Sequence, residues 1–587
     1  KVRFYEVLVS MTLPVVSISG KKKKKPSLVF TLSGAGLLIA GGIAAYSFLT
    51  QGKPLSRDLP VGANIIPQDA LFTVSLSTDS SQWDQLRSFG NKESQAALDQ
   101  NLIQLRDRFL AKEGFDFEKN VSPWVGDQVT IAILDPLAAT TASKPVARDE
   151  KLATVEQSLV MVLPIKDKSK IQTAFAQPKA LKGKWVEREY EGIAIKEAEA
   201  SSGEKLSYSV IEEKFLVIAD NPKATERTIQ AYKNKATLAN SDGFAKHIPK
   251  IATYQPLAQF YVNVPSAAQI AAATSAKGRL PAQVLAQLKN NQGLAGTVSL
   301  EPQGLRLKGV SWLKPKSRRV LAVENKATTM TTRLPADTLM MFSGGNLRRL
   351  WSDYVLTSQK NPLSPIQPEK LRKGFKNLSN LDLDRDLLSW MGGEFAISVV
   401  SDTPRKDFPQ DVRPALVFMV QASDRRKAEA SLKQLDDAMR TQYQFRIKED
   451  KVGELPVTRW IGPSGTLTAT RGWLEEDVAF LTFGTPIANK ILPKPKNALA
   501  NAAPFQESVP KELNPINTQF FLDMEGAAKS FSLSALFPSQ QSFLNSINSV
   551  GVTSAVSDSR TTRYDILLKL KQGEKPTPLP SSKEKTE

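Results

Sequence analysis

Two stretches of this chain are written in the same register. Residues 115–134 read FDFEKNVSPWVGDQVTIAIL and residues 381–400 read LDLDRDLLSWMGGEFAISVV. Without a gap, Trp124 falls on Trp390 and Gly126 on Gly392, while Asp116 and Glu118 fall on Asp382 and Asp384. An apolar run follows each Trp-x-Gly. Further pairs keep the same order: Ile66-Pro67-Gln68-Asp69 with Leu334-Pro335-Ala336-Asp337, Asn221-Pro222 with Thr485-Pro486, Leu238-Ala239-Asn240 with Leu499-Ala500-Asn501, and Gln259-Phe260 with Gln519-Phe520. Matched segments in one order mean a duplicated module. The first copy is placed at 65–315 and the second at 333–571, with 316–332 as a linker and 572–587 (QGEKPTPLPSSKEKTE) as a tail of disordered composition.

Hydrophobic periodicity gives the fold class. Short apolar runs predict strands at Leu71–Leu76, Val129–Leu134, Leu159–Leu163, Ile193–Lys196, Ser207–Ile211, Phe215–Ala219 and Phe260–Val264, with a closing hairpin at Gly296–Leu300 and Leu305–Trp312. Leu98, Leu102, Leu105 and Phe109 form one helical stripe, and Leu371, Phe375 and Leu378 a shorter one in the second copy. Asp167 and Asp424 are N-cap candidates for the helices that follow. Strands that follow one another without an intervening helix disfavour a parallel doubly wound sheet. The expectation is an α+β fold of two tandem modules, with mainly antiparallel sheets and helices on one face.

The N-terminal tenth is different. Residue 1 is Lys, so the sequence is read as a fragment or an over-extended frame, with Met11 as the candidate start. Residues 1–53 carry eight Lys or Arg and one Glu, about a third of the net charge of +19. Lys21, Lys22, Lys23, Lys24 and Lys25 form an unbroken basic run, and residues 28–49 then contain no charge. As a helix that stretch is about 33 Å long, enough to span a bilayer core. The positive-inside rule leaves 1–27 as a cytoplasmic stub and exports everything after the 50–64 linker. A cleaved signal peptide is the competing reading, disfavoured by the length of the apolar run and the lack of a clean A-x-A site. Gly36, Ala40 and Ala44 lie four apart and form a candidate helix-packing stripe, although Gly and Ala are common in any membrane helix.

The lysine-rich start, the Gly/Ala-rich apolar stretch, the LPVGANIIPQDALFTVSL entry and SPWVGDQVTIAIL together resemble a cyanobacterial family of membrane-anchored proteins, the domain-of-unknown-function family numbered 3352. The resemblance covers nearly the whole chain. It implies a photosynthetic bacterium and an exported domain, and it supplies no catalytic residues.

Composition removes much chemistry. With no cysteine there is no thiolate nucleophile and no Cys-ligated metal, and one histidine, His247, leaves few acid–base arrangements. His247 has no nucleophile or orienting partner beside it in sequence and is read as a surface residue. The alternating acids at 116–120 and 382–386 look like a calcium loop, but the sixth positions are Val121 and Leu387 and the twelfth are Asp127 and Gly393, which fail its Gly and Glu requirements. Trp124 and Trp390 suit core aromatics over a tight turn better than exposed stacking groups. The remaining positive charge is spread without a long basic run, which argues against nucleic acid.

No cofactor or metal is expected. The function expected is that of a non-catalytic membrane-anchored protein at the plasma or thylakoid membrane, docking on a protein partner. The alternatives are a carrier of lipid or another apolar ligand and, more remotely, a carboxylate-dependent hydrolase.

Overall fold

The computed structural model describes residues 59–109, 120–134, 158–171, 186–199, 205–267, 290–317, 320–321, 327–358, 367–401, 414–530 and 544–579 of the 587. The sequence-predicted membrane span 28–49, the Lys21–Lys25 run and the Gly36/Ala40/Ala44 stripe lie outside these residues, as do the 135–155 loop and the Ala-rich stretch before Leu288. Among the described residues no helix is long and apolar enough to cross a membrane. The described residues divide into two compact units: an N-terminal unit drawn from 59–317 and 571–579, and a C-terminal unit from 320–570.

The N-terminal unit contains strands β1 (Phe72–Ser77), β2 (Gln128–Leu134), β3 (Ser158–Pro164), β4 (Val186–Tyr190), β5 (Ile193–Glu199), β6 (Lys205–Ile211), β7 (Phe215–Ala219), β8 (Ala258–Asn263), β9 (Asn291–Glu301) and β10 (Gly304–Leu313), and helices α1 (Ser80–Arg87), α2 (Lys92–Phe109) and α3 (Pro222–Lys233). Its sheet runs β4-β5-β6-β7-β3-β2-β1-β8-β9-β10, with every neighbouring pair antiparallel. Asp79 caps α1 through Ser81 N–H at 3.0 Å, and Asn221 caps α3 ahead of Pro222.

The C-terminal unit contains β11 (Thr338–Gly344), β12 (Phe395–Val400), β13 (Ala415–Gln421), β14 (Arg446–Val452), β15 (Leu455–Ile461), β16 (Leu467–Leu474), β17 (Val478–Gly484), β18 (Thr518–Asp523), β19 (Ile547–Asp558) and β20 (Thr561–Leu570), with helices α4 (Leu347–Ser358), α5 (Pro368–Ser379) and α6 (Arg425–Tyr443). Its order is β14-β15-β16-β17-β13-β12-β11-β18-β19-β20, again all antiparallel. Adding ten to each strand number of the first sheet gives the second.

The likeness extends to register. Val74 pairs with Ile131 and Phe260 in the N-terminal unit, and Phe342 with Ile397 and Phe520 in the C-terminal one. Thr130 pairs with Val162, and Ala396 with Met419. A one-residue slip would turn every side chain to the other face, so this agreement carries the burial pattern with it. Outside the sheets, Leu238 N–H donates to the Ile66 carbonyl at 3.0 Å, and Leu499 N–H to that of Leu334 at 2.8 Å.

Both sheets are covered on two faces, not one. In β3, Val160 and Val162 join one core with α3 and Phe244, while Met161 and Leu163 join another with Trp124 and Ile171. In β13, Val417 and Met419 face the core containing Met330, Ile487 and Phe505, and Val420 faces Trp390, Ala428 and Leu432. Strands buried on both faces read as continuous apolar runs, which is how FLVIA and ALVFMVQ look.

Four segments differ from their sequence reading. Composition marks 50–64 and 316–332 as linkers, yet Ala63 (3% exposed) and Met330 (1% exposed) are core residues. Gly62 supplies a positive φ of 82° there, and the turn serves packing. Residues 572–579, the described part of the tail read at 572–587 as disordered, follow Lys571 along the α1–α2 corner of the N-terminal unit, joined by the Gly90 and Gly573 backbone N–H groups. Finally, β4 (VEREY) was not legible as a strand, because an edge strand carrying charges lacks apolar alternation.

Candidate functional site

The two Trp-Gly segments occupy the same structural position. In the N-terminal unit Trp124 is 2% exposed and packs with Val121, Val125 and Ile171. Its indole Nε1 donates to the Asn120 carbonyl at 2.5 Å, and its own carbonyl accepts from Lys166 N–H at 2.7 Å. That bond fixes the residue just before Asp167, whose carboxylate caps the following turn through Ser169 N–H (3.0 Å) and Lys170 N–H (3.2 Å). Hydrogen bonding, the Ser169 hydroxyl first, holds the Asp167 carboxyl below its ordinary range. Gly126 N–H donates to the Pro164 carbonyl at 2.9 Å, and a Cβ there would lie 3.0 Å from Pro164 Cγ.

In the C-terminal unit Trp390 is 1% exposed, and its carbonyl accepts from Ser423 N–H at 2.8 Å and Ser423 Oγ at 3.0 Å. Asp424 then caps α6 through Lys427 N–H at 3.1 Å. The glycines have divided their work. A Cβ on Gly392 would meet Ser423 Oγ at 3.1 Å, whereas one on Gly393 would lie 2.6 Å from the Gln421 backbone oxygen. Steric need is therefore sharper at Gly393 than at the sequence-aligned Gly392.

The acidic run beside Trp390 serves the fold. Asp382 accepts from the N–H groups of Asp384 (3.0 Å) and Arg385 (2.9 Å), and Asp386 accepts from Asp382 N–H at 2.7 Å. Asp384 takes the indole N–H of Trp351 at 2.7 Å and the Arg372 guanidinium at 2.6 and 3.2 Å. Arg372 holds the Asp384 carboxyl below the usual carboxylate range. Each of these acids already has a donor. The paired positions Asp116 and Glu118 fall outside the described residues, and among the described residues no group of three or more His, Asp or Glu could hold a metal ion.

His247 is not a surface residue. It is 4% exposed and stacks on Trp312, ring centroids 4.8 Å apart, in an aromatic cluster with Tyr261 and Phe244. The reading failed because a polar FAKHIPK context hides a buried turn. At the corresponding place Ser508 is fully buried and pairs with Ser549 Oγ at 2.6 Å.

Buried carboxylates, Asp436 and Glu394 among them, do not stand out in the sequence. Asp436 (4% exposed) receives Trp460 Nε1 at 2.8 Å and Arg471 Nε at 2.9 Å. Its place on the Ala428/Leu432/Leu435/Met439 face of α6 was the available signal, since a carboxylate on an apolar stripe needs a buried partner. Glu394 (5% exposed) accepts from Met330 N–H at 2.9 Å, and burial pushes its carboxyl up.

Fold and site together define an α+β protein on antiparallel sheets, with its recurrent aromatic and acidic residues engaged in holding helices to strands. The family is shown directly: the model described as "Protein of unknown function (DUF3352)" matches residues 31–570, and the chain belongs to that family. No curated protein matches it. Among solved structures, crystal form III of TP0453 is 12% identical over 45% of this chain and 81% of its own, with a TM-score of 0.21. Crystal form IV is 10% identical over 43% and 81%, with a TM-score of 0.23. Scores this low carry no inference about this chain.

Proposed function

We propose that this protein is a non-catalytic, single-pass membrane protein whose two units are copies of one ancestral module. Both are exported to the periplasm or lumen, where they dock on a protein partner in an envelope or thylakoid complex. The observation that supports the reading best is the shared ten-strand order with matching register, together with the engagement of Trp124, Trp390, Asp382, Asp384 and Asp386 in the fold. Two similar modules on one tether engage neighbouring sites with a gain in effective concentration. The uncharged stretch 28–49 after Lys21–Lys25 supplies the tether and its orientation.

The test is purification of the tagged protein from membranes in mild detergent, with protein and lipid mass spectrometry on one eluate. A stoichiometric protein partner is the expected result. A co-purifying lipid without a protein partner would replace docking by ligand carriage. A hydrolytic activity abolished by one Asp or Glu substitution would end the non-catalytic reading. Protease added outside right-side-out spheroplasts, or to inside-out thylakoid vesicles, checks the topology: the large domain should be degraded, and its protection would reverse the orientation.

A further inference from the structure

The segment 571–579 (KQGEKPTPL) is held in an unusual way. Gly90 N–H donates to the Lys571 carbonyl at 2.7 Å, and Gly573 N–H donates back to the Ser88 carbonyl at 2.8 Å, with Phe89 and Gln572 forming one antiparallel bridge. Beyond that bridge the unit reads the segment through its carbonyls. Gln95 Nε2 donates to the Glu574 carbonyl at 2.9 Å, and Arg87 Nη2 to that of Thr577 at 2.5 Å. The carbonyls taken belong to residues 571, 574 and 577. Three residues is the repeat of a polyproline II helix, in which every third carbonyl points the same way. Pro576 and Pro578 favour that conformation and remove two N–H groups that a β ladder would need.

The receiving side is preorganised. Arg87 is 3% exposed, and its guanidinium is fixed by Asp99 at 2.7 and 3.1 Å and by Asp84 at 3.0 Å. Gln95 Nε2 is also anchored to the Arg87 carbonyl at 2.9 Å. One position of the segment is sterically selective: a Cβ on Gly573 would lie 2.1 Å from the Gly90 carbonyl oxygen and 2.5 Å from Gln95 Nε2. Lys92 adds an ion pair to Glu574 at 3.0 Å, but both side chains are exposed and such a pair contributes little.

We propose that the α1–α2 corner is a recognition site for an extended Gly-x-x-Pro-x-Pro peptide, and that its resident ligand is the chain's own segment 571–579. This assignment is independent of the docking role and of the membrane topology, because it rests on contacts inside the N-terminal unit. The fixed guanidinium and carboxamide read main-chain oxygens, so specificity comes from the glycine and from the restricted backbone of the prolines. A rigid ligand loses little entropy on docking.

The test uses a labelled synthetic peptide KQGEKPTPL and three receptors: the full chain, the chain ending at Leu570, and the full-length Gly573→Val variant. Saturable binding is expected to the truncated chain and to the variant, and binding to the full chain should be at least about tenfold weaker. The same peptide with Val in place of its glycine should bind none of them. Equal binding to all three receptors, binding to none, or indifference to the glycine would each overturn the site. Hydrogen exchange on the full chain provides a readout that needs no truncation. The backbone amides at positions 90 and 573 should be protected in the wild type and exposed in Gly573→Val, with β1–β3 amides unchanged. Loss of protection throughout β1–β3 would instead make the segment an integral part of the fold and overturn its being a separable ligand. A wild-type dimer converted to monomer by Gly573→Val would assign the segment to a second copy and overturn occupancy within one chain.

Discussion

The Trp390 carbonyl accepts the backbone N–H of Ser423 at 2.8 Å, one residue before the aspartate that caps α6. Trp124 makes the same bond to Lys166, one residue before Asp167. In each unit one buried aromatic thus fills a core and sets the start of the helix after the third strand. Removing either ring deletes a large buried surface, and Trp124→Ala or Trp390→Ala should each cost about 3–5 kcal/mol. The two differ in their indole N–H groups: that of Trp124 bonds to the Asn120 carbonyl, whereas that of Trp390 is buried without a hydrogen-bond partner among the described residues. Trp124→Phe should therefore be more destabilising than Trp390→Phe by about 1 kcal/mol, the worth of one hydrogen bond. Urea unfolding of the pair measures this, and an equal cost would refute the assignment.

The glycines after Trp390 give a second contrast. Gly393→Ala pushes its methyl to 2.6 Å from the Gln421 backbone oxygen, which belongs to β13 and cannot swing away, while Gly392→Ala meets nothing nearer than the Ser423 side chain, Oγ at 3.1 Å and Cβ at 3.3 Å. Gly393→Ala should lower the melting temperature clearly and Gly392→Ala only slightly. The reverse order would mean that the aligned glycine, not its neighbour, is the constrained one.

Much of this architecture was legible. FLVIA and ALVFMVQ are apolar enough to announce central strands, and the Asp167 and Asp424 caps stand out because each precedes a helical pattern. The Trp-x-Gly blocks marked the two structurally equivalent joints. Illegible features depended on partners distant in sequence. The sequence excludes Asp384 from a calcium loop but does not show what it holds, because Trp351 and Arg372 reach it from α4 and α5. The corner site was hidden because Arg87 and Thr577 are separated by almost the whole chain, and a Pro-rich composition reads as disorder when its receptor is unseen. His247 failed for the same reason: its stacking partner Trp312 lies on β10.

The Asp436–Arg471 pair predicts a non-additive result. Asp436 is buried and Arg471 partly so, and Arg471→Met leaves a carboxylate in the core with only the Trp460 N–H, which should cost about 3 kcal/mol, the low end for a broken buried pair. Asp436→Leu with Arg471→Met removes the stranded charge, and the double variant should be more stable than Arg471→Met alone. A double-mutant cycle by chemical denaturation decides it. A double variant that is the less stable would show that the pair contributes more than its desolvation costs.

Glu394 predicts a pH dependence whose sign follows from its burial. Its carboxyl is pushed up by desolvation, against hydrogen bonds from Met330 and Thr329 and the charge of Arg333, which act the other way. The folded protein therefore holds this proton more tightly than the unfolded chain does. The protonated form's contribution is complete below the unfolded carboxyl's range and is lost as pH rises through the raised folded value. Once ionised, the wild-type side chain is a partly desolvated carboxylate. Glu394→Gln keeps the oxygen that accepts Met330 N–H and removes the charge, and Gln128 already stands at the sequence-matched position, the first residue of β2. Glu394→Gln should melt higher than the wild type at pH 7, and the difference should vanish as pH falls below the ordinary carboxylate range. Thermal unfolding of both proteins between pH 3.5 and 8, a range chosen to span about one unit below and several above a free Glu, traces the curve. A variant that is less stable at pH 7, or an advantage that does not change with pH, would show that the ionised form of Glu394 is the one the fold favours.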